Sequence, residues 1–176
     1  MTINFISGEG GAVTNDISLE ELSNQLRMIQ SGERRIAIIG TRNLPITHQQ
    51  VVETLAYSLA LSRNTIITSG GSTGVNIAAI QGTIKANPEL LEVVLPQTLE
   101  QQSAETEIIL KNVKMIVEHP ERKDLEFSEA CTICYKEIIS SAHQLICFLY
   151  HDSNTLAEAI KFAQMSRKIL TIFYLD

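Results

Sequence analysis

RRIAIIGTRNLPITHQQVVETLAYSLALSRNTIITSGGSTGVNIAA, residues 34–79, decides the fold. Two apolar runs, Arg35 to Ile39 and Thr65 to Thr68, each close on a small-residue turn, Gly40-Thr41-Arg42 and Ser69-Gly70-Gly71-Ser72-Thr73-Gly74. A helical pattern follows each turn. Strand, turn and helix repeated twice predict a parallel sheet with both glycine-bearing turns on one edge. That edge is where a ligand is expected.

Working outward, Thr47 with Gln50 at the capping-box spacing starts the first helix, and Val52, Leu55, Ala56 and Leu59 form its inward stripe. The helix ends near Ser62, and Val75 to Lys85 forms the next one. A third strand, Glu92 to Leu95, stops at Pro96 because proline breaks the ladder. Residues 97–137 are polar and more acidic than basic, with a short apolar stretch at Val113 to Val117 and a turn at Pro120. Cys131 to Ser141 reads as a helix, Leu145 to Tyr150 as a strand, and His151 to Asn154 as the turn after it. Leu156, Ala159, Ile160 and Ala163 mark a last helix before a last strand from Ile169 to Leu175. The fold class is therefore α/β, a Rossmann-like three-layer sandwich with a mainly parallel sheet.

Upstream, residues 1–33 form an N-terminal unit distinct from the domain at 34–176. Met1 to Asp16, with Gly8, Gly10 and Gly11, reads as a flexible arm. Ser18 caps a short helix with Glu21 at the box position and Leu19, Leu22 and Leu26 along one face. Glu9, Asp16, Glu20, Glu21 and Glu33 stand against Arg27 alone, so this arm repels nucleic acid and suits a protein partner.

At 176 residues, 44% hydrophobic and 19% charged, the chain has ordinary globular composition. Its net charge of -6 counts against tracking nucleic acid over a broad surface. No apolar run is long enough for a membrane helix and no export signal opens the chain, so the expected setting is the cytoplasm. Three cysteines make no disulfide framework. Cys131 and Cys134 form a lone C-x-x-C without a second pair at metal spacing, and they read as buried helix cysteines. No pattern calls for a metal or cofactor.

Chemistry is sought at the turns. Backbone N–H groups left free at a helix start, with the helix dipole, favour an anion such as phosphate, and glycine lets it come close. Gly40, Thr41, Arg42, Ser69, Gly70, Gly71, Ser72, Gly74 and Asn76 are the candidates there, against the alternative that the glycines only make tight turns. Arg42 is the one charge in the first turn and is suited to grip a phosphate in a fork. Ser153 and Thr155 stand at the corresponding turn of the last unit. Glu158 lies three residues after Thr155, which reads either as a site pair or as a capping box.

Ile36-Ala37-Ile38-Ile39-Gly40-Thr41-Arg42, then Thr68 to Ala79, then Gln81-Gly82, resemble the Rossmann-like core of the DNA-processing protein A family, within a superfamily shared with the lysine-decarboxylase-like LOG enzymes. The resemblance continues through Val93 to Pro96, Val117 to Pro120, Ile138-Ile139 and Ser153 to Ala159. It implies a homodimer that binds single-stranded DNA or a nucleotide without chemistry of its own. Its LOG branch implies instead nucleotide phosphoribohydrolysis, with Glu158 assisting cleavage. A third reading is a degenerate member acting as a structural or regulatory partner through the acidic arm. Thr73 stands where members of the family carry an arginine, and Tyr135-Lys136-Glu137 where they carry Arg-Asn-Arg, so much of the family's positive charge is missing.

Overall fold

The computed structural model describes residues 2–5, 34–151 and 153–175. Seven strands form one sheet: β1 (Thr2–Phe5), β2 (Arg35–Gly40), β3 (Thr65–Ser69), β4 (Leu91–Val94), β5 (Met115–Val117), β6 (Gln144–Leu149) and β7 (Ile169–Tyr174). Among the described residues five α-helices connect them: α1 (Ile46–Leu61), α2 (Gly74–Ala86), α3 (Ala104–Leu110), α4 (Phe127–Ser141) and α5 (Asn154–Met165). The strand order is β1-β7-β6-β2-β3-β4-β5. β2 to β7 are all parallel to their neighbours, and β1 alone runs antiparallel, on β7.

This arrangement is the doubly wound α/β fold that the repeated strand, turn and helix pattern predicts. The chain builds outward from β2 through β3 and β4 to β5, then returns to pair β6 on the other side of β2. Between β2 and β6 the winding reverses, and a crevice opens at the carboxyl ends of these strands.

The central strands are apolar on both faces because helices cover both. Ile36 and Ile38 of β2 point to one side with Ile66 and Phe148, where α1 and α2 bury Val52, Ala56, Ala60, Ala78 and Ala79. Ala37 and Ile39 point to the other with Ile67, Leu145 and Ile172, beneath Ile138 of α4 and Leu156 of α5. A third cluster joins Ile77 and Ile80 of α2 to Leu91, Val93 and Leu110 at the β4 end of the sheet.

Four expectations are corrected. Thr2–Phe5, read as part of a flexible arm, pairs with β7 from Thr2 opposite Tyr174 to Phe5 opposite Thr171. Thr47 does not cap α1: the helix starts at Ile46 after Pro45, whose φ near -55° already suits a helix start, and no side-chain cap is made. Thr155 with Glu158 is not the box of α5 either, because Ser153 is the N-cap and accepts from the Leu156 N–H at 3.4 Å. The polar stretch after Pro96 holds α3, capped by Ser103, which was hidden by its short length. The helix expected at Ser18, and the acidic arm as a whole apart from Thr2–Phe5, lie outside the described residues.

Candidate functional site

The two glycine turns meet over the carboxyl end of β2. Gly74 opens α2 at φ +76°, and its Cα lies so near the first turn that a Cβ would stand 2.3 Å from the carbonyl oxygens of both Thr41 and Arg42. The next amide, Val75 N–H, donates to the Thr41 carbonyl at 3.1 Å, so one turn is stitched to the other. Gly71 has φ +151°, and a Cβ there would meet nothing nearer than 3.8 Å, which leaves its open side to the cleft. Among the described residues the N–H groups of Gly71, Ser72 and Thr73 donate to no backbone carbonyl. They stand at the positive end of α2, the arrangement that suits an anion.

Two adjoining compartments make up the cleft. The first, about 230 Å³, is lined by Ser69 to Thr73, Asn76, Pro96, the segment Gln101 to Ser103, and Phe127, Cys131 and Tyr135 of α4. The second, about 400 Å³, lies at the point where the winding reverses and is lined by Gly40 to Asn43, Phe127, Tyr150, His151, Ser153 and Thr155. Arg42 stands in the wall of both, and apart from the titratable His151 it is the one side chain with a formal charge among the described lining residues. Its guanidinium has no carboxylate partner among the described residues. Its Nη2 instead donates to Cys131 Sγ at 3.3 Å, and its Cζ lies 4.9 Å from the centre of the Phe127 ring. A guanidinium held by a thiol and a ring face keeps its charge available.

The sequence candidates thus converge, with different duties. Ser69, Gly70, Gly71, Ser72 and Asn76 line the first compartment, while Gly40, Thr41, Ser153 and Thr155 line the second. Gly74 lies behind them as the joint between turns. Thr41 is spent on the scaffold: its Oγ1 accepts from the Tyr150 N–H at 2.9 Å and its own N–H donates to the Phe148 carbonyl at 3.0 Å. Glu158 is exposed and outside the lining of both compartments. Asn76 is buried, and its Nδ2 donates to the Gly70 carbonyl at 3.1 Å, which fixes the glycine turn from below.

The wall facing these turns was not foreseen. Phe127, Cys131 and Tyr135 sit on one face of α4, and Gln101, Gln102 and Ser103 come from the link between β4 and α3. Their spacing of four residues along α4 was the one available signal, and it looks the same as core packing. The C-x-x-C is buried as expected, yet Cys131 faces Arg42 while Cys134 Sγ donates to the Val94 carbonyl at 3.3 Å. Among the described residues no group of three or more ligating side chains could hold a metal ion.

Burial sets the protonation states here. It pushes the Cys134 and Cys147 thiols and the Tyr135 hydroxyl up to about 12, and it raises Cys131 against the opposing pull of Arg42. All four are neutral at physiological pH. Native protein at pH 8 is expected to leave Cys134 and Cys147 unmodified by a thiol reagent that labels all three cysteines in urea. The same shift makes stability fall as pH rises above about 9, because unfolded thiols then lose protons that the native ones keep until about 12. A urea midpoint that stayed level from pH 8 to pH 10 would contradict this.

The model of the DNA recombination-mediator protein A family matches residues 25–126, more than half of the chain and the whole of the first glycine turn pair. The chain belongs to that family. Among solved structures, DNA processing protein A from Helicobacter pylori, determined to show its single-stranded DNA binding mode, is similar at 22% identity and a TM-score of 0.66. That likeness covers 81% of this chain and 65% of the other, so the chain spans a little under two thirds of its relative. A molybdenum cofactor binding protein from Rippkaea orientalis (18% identity, TM-score 0.58, 82% and 78% covered) shares the fold. So does the Moco carrier protein of Chlamydomonas reinhardtii (17% identity, TM-score 0.55, 81% and 77% covered). No curated protein matches the sequence significantly. At these identities the structural likenesses speak for the Rossmann-like fold alone. Among the described residues no helix is long and apolar enough to cross a membrane.

Proposed function

We propose that this member of the recombination-mediator family binds the phosphate of a nucleotide or of single-stranded DNA at its glycine turns and carries out no chemistry of its own. One observation carries the reading: Arg42, without a carboxylate partner among the described residues, lines the same cleft as the N–H groups of Gly71 to Thr73, which donate to no described backbone carbonyl, and the described lining has no acidic side chain. In a chain of net charge -6 such a spot is a local exception. A guanidinium fork and two or three amides at a helix start match a phosphate's geometry and charge. The family, and a relative studied for its single-stranded DNA binding, point to the same ligand class.

Titration of a fluorescent oligo-dT tests this. Binding at low salt is expected, and Arg42→Ala should weaken it by about ten- to a hundredfold, the value of one charge-assisted fork at ~1.5–3 kcal/mol. Arg42 is exposed, so its removal leaves the melting temperature near that of the parent protein. An oligonucleotide affinity unchanged in Arg42→Ala sinks the assignment of the site.

A further inference from the structure

We infer that residues 6–33, the acidic segment between β1 and β2, dock on a basic and apolar surface at the amino ends of the parallel strands, the end of the sheet opposite the glycine turns. The cations of that surface meet through the ladder. Arg34 immediately precedes β2, its carbonyl accepts from the Thr65 N–H at 2.8 Å, and Arg63 stands two residues before that amide. On the other side of β2 the Arg35 carbonyl accepts from the His143 N–H at 2.8 Å and the His143 carbonyl from the Ile169 N–H at 3.4 Å, with Arg167 and Lys168 just ahead of Ile169. The His143 imidazole in their midst is held below its ordinary pKa, by burial first and then by Lys168, Arg35 and Arg34.

Part of this charge is already used. Arg35 Nε donates to the Ser141 carbonyl at 3.0 Å, and Lys168 Nζ to the Ser140 and Ala142 carbonyls at 3.0 and 2.7 Å, which satisfies the end of α4. Arg35 also pairs with Glu92 at 2.7 Å. Arg34, Arg63 and Arg167 have no carboxylate partner among the described residues. Open apolar side chains stand two residues from Arg63 and Arg167: Leu61 at the end of α1 is 58% exposed, Met165 at the end of α5 75% and Ile169 at the start of β7 57%. Cations interleaved with exposed apolar side chains suit an acidic, amphipathic partner.

The chain itself supplies one at that place. Residues 6–33 carry Glu9, Asp16, Glu20, Glu21 and Glu33 against Arg27 alone, and Leu19, Leu22, Leu26 and Ile29 recur at helical spacing. Arg34, the residue that follows the segment, belongs to the basic surface, and Phe5, the residue before it, lies opposite Thr171 near the start of β7. β1 and β2 are three strand spacings apart, roughly 14 Å, which about five extended residues would cross. The segment has 28. Tethered at both ends beside a surface of opposite charge, it meets that surface at an effective concentration far above that of a separate acidic partner.

Trypsin acting on the full chain tests this, because Arg27 is the one basic residue of the segment. Cleavage after Arg27, followed by mass, is expected to be at least about tenfold slower in the native protein at low salt than in a synthetic peptide of residues 6–33, and to quicken as salt screens the charges. Arg167→Glu and Met165→Asp, both at exposed positions and so expected to melt near the parent protein, should each return the rate toward that of the peptide. Lys123→Glu makes the same change of charge as Arg167→Glu at the carboxyl end of the sheet, and should leave the protection intact. Arg27 cut at the peptide rate in the parent protein overturns the inference, as does protection that Arg167→Glu and Met165→Asp leave unchanged. Protection lost on dilution also overturns it and assigns the segment to a second copy of the chain. So does oligo-dT binding that survives Arg42→Ala and is abolished by Arg167→Glu, which gives the surface to nucleic acid.

Discussion

Gly74→Ala is expected to lose about 2 to 5 kcal/mol of stability, combining ~1–2 kcal/mol for a left-handed residue with ~1–3 kcal/mol for overpacking. In a protein of this size that is a fall in Tm of roughly 10 °C. The cause is specific. At φ +76° any side chain is strained, and here the new methyl would also press on two backbone oxygens, Thr41 O and Arg42 O, each 2.3 Å from the Cβ position. Backbone cannot swing aside as a side chain can, so the turns must part, and Val75 N–H loses the Thr41 carbonyl. Because the parting turns carry Arg42 and Gly71 to Thr73, binding should fail even at temperatures where the variant is folded. Thermal melts and oligonucleotide titration at about 15 °C check both halves; a Tm within about 3 °C of the parent would refute the clash.

The same joint shows what the sequence could and could not disclose. Alternating positions in β2, with Ile36 and Ile38 on one face and Ala37 and Ile39 on the other, made a doubly covered parallel strand legible from its run of apolar residues alone. The glycine turns were legible because few other residues can occupy them. The opposite wall was not, since Phe127, Cys131 and Tyr135 reach the cleft only through the long return from β5 across the sheet to α4 and β6. No local spacing encodes that crossover. Caps were misread for a related reason: Thr47 and Thr155 both had an amide or carboxylate partner three residues on, but the helices began earlier, at Ile46 and Asn154. A cap is fixed by where the chain enters the helix, and packing of the preceding turn decides that.

Gly82→Leu is expected to be as damaging from the far end of α2, at about 3 to 4 kcal/mol, the upper range for forcing bulk into a close-packed contact. Gly82 faces α1, and a Cβ would stand 2.1 Å from the Glu53 carbonyl oxygen and 3.1 Å from the Ala56 Cβ. Ala56, Ala60, Ala78 and Ala79 keep the two helices close on the same side of the sheet, so no larger side chain nearby can yield. A leucine must push the axes apart, and that opens the cluster formed by Val52, Ile66 and Phe148 beneath them. Lys85→Ala supplies the contrast, since its ion pair with Glu53 bridges the same two helices at the surface, where Lys85 is 65% exposed. Losing that exposed pair should cost no more than about 1 kcal/mol. Urea denaturation of the two variants separates backbone proximity from surface charge as the tie between α1 and α2. If Lys85→Ala proved the more damaging, the close approach at Gly82 would not be what seats α2, and the placement of the glycine turn at its N-terminus would need another cause.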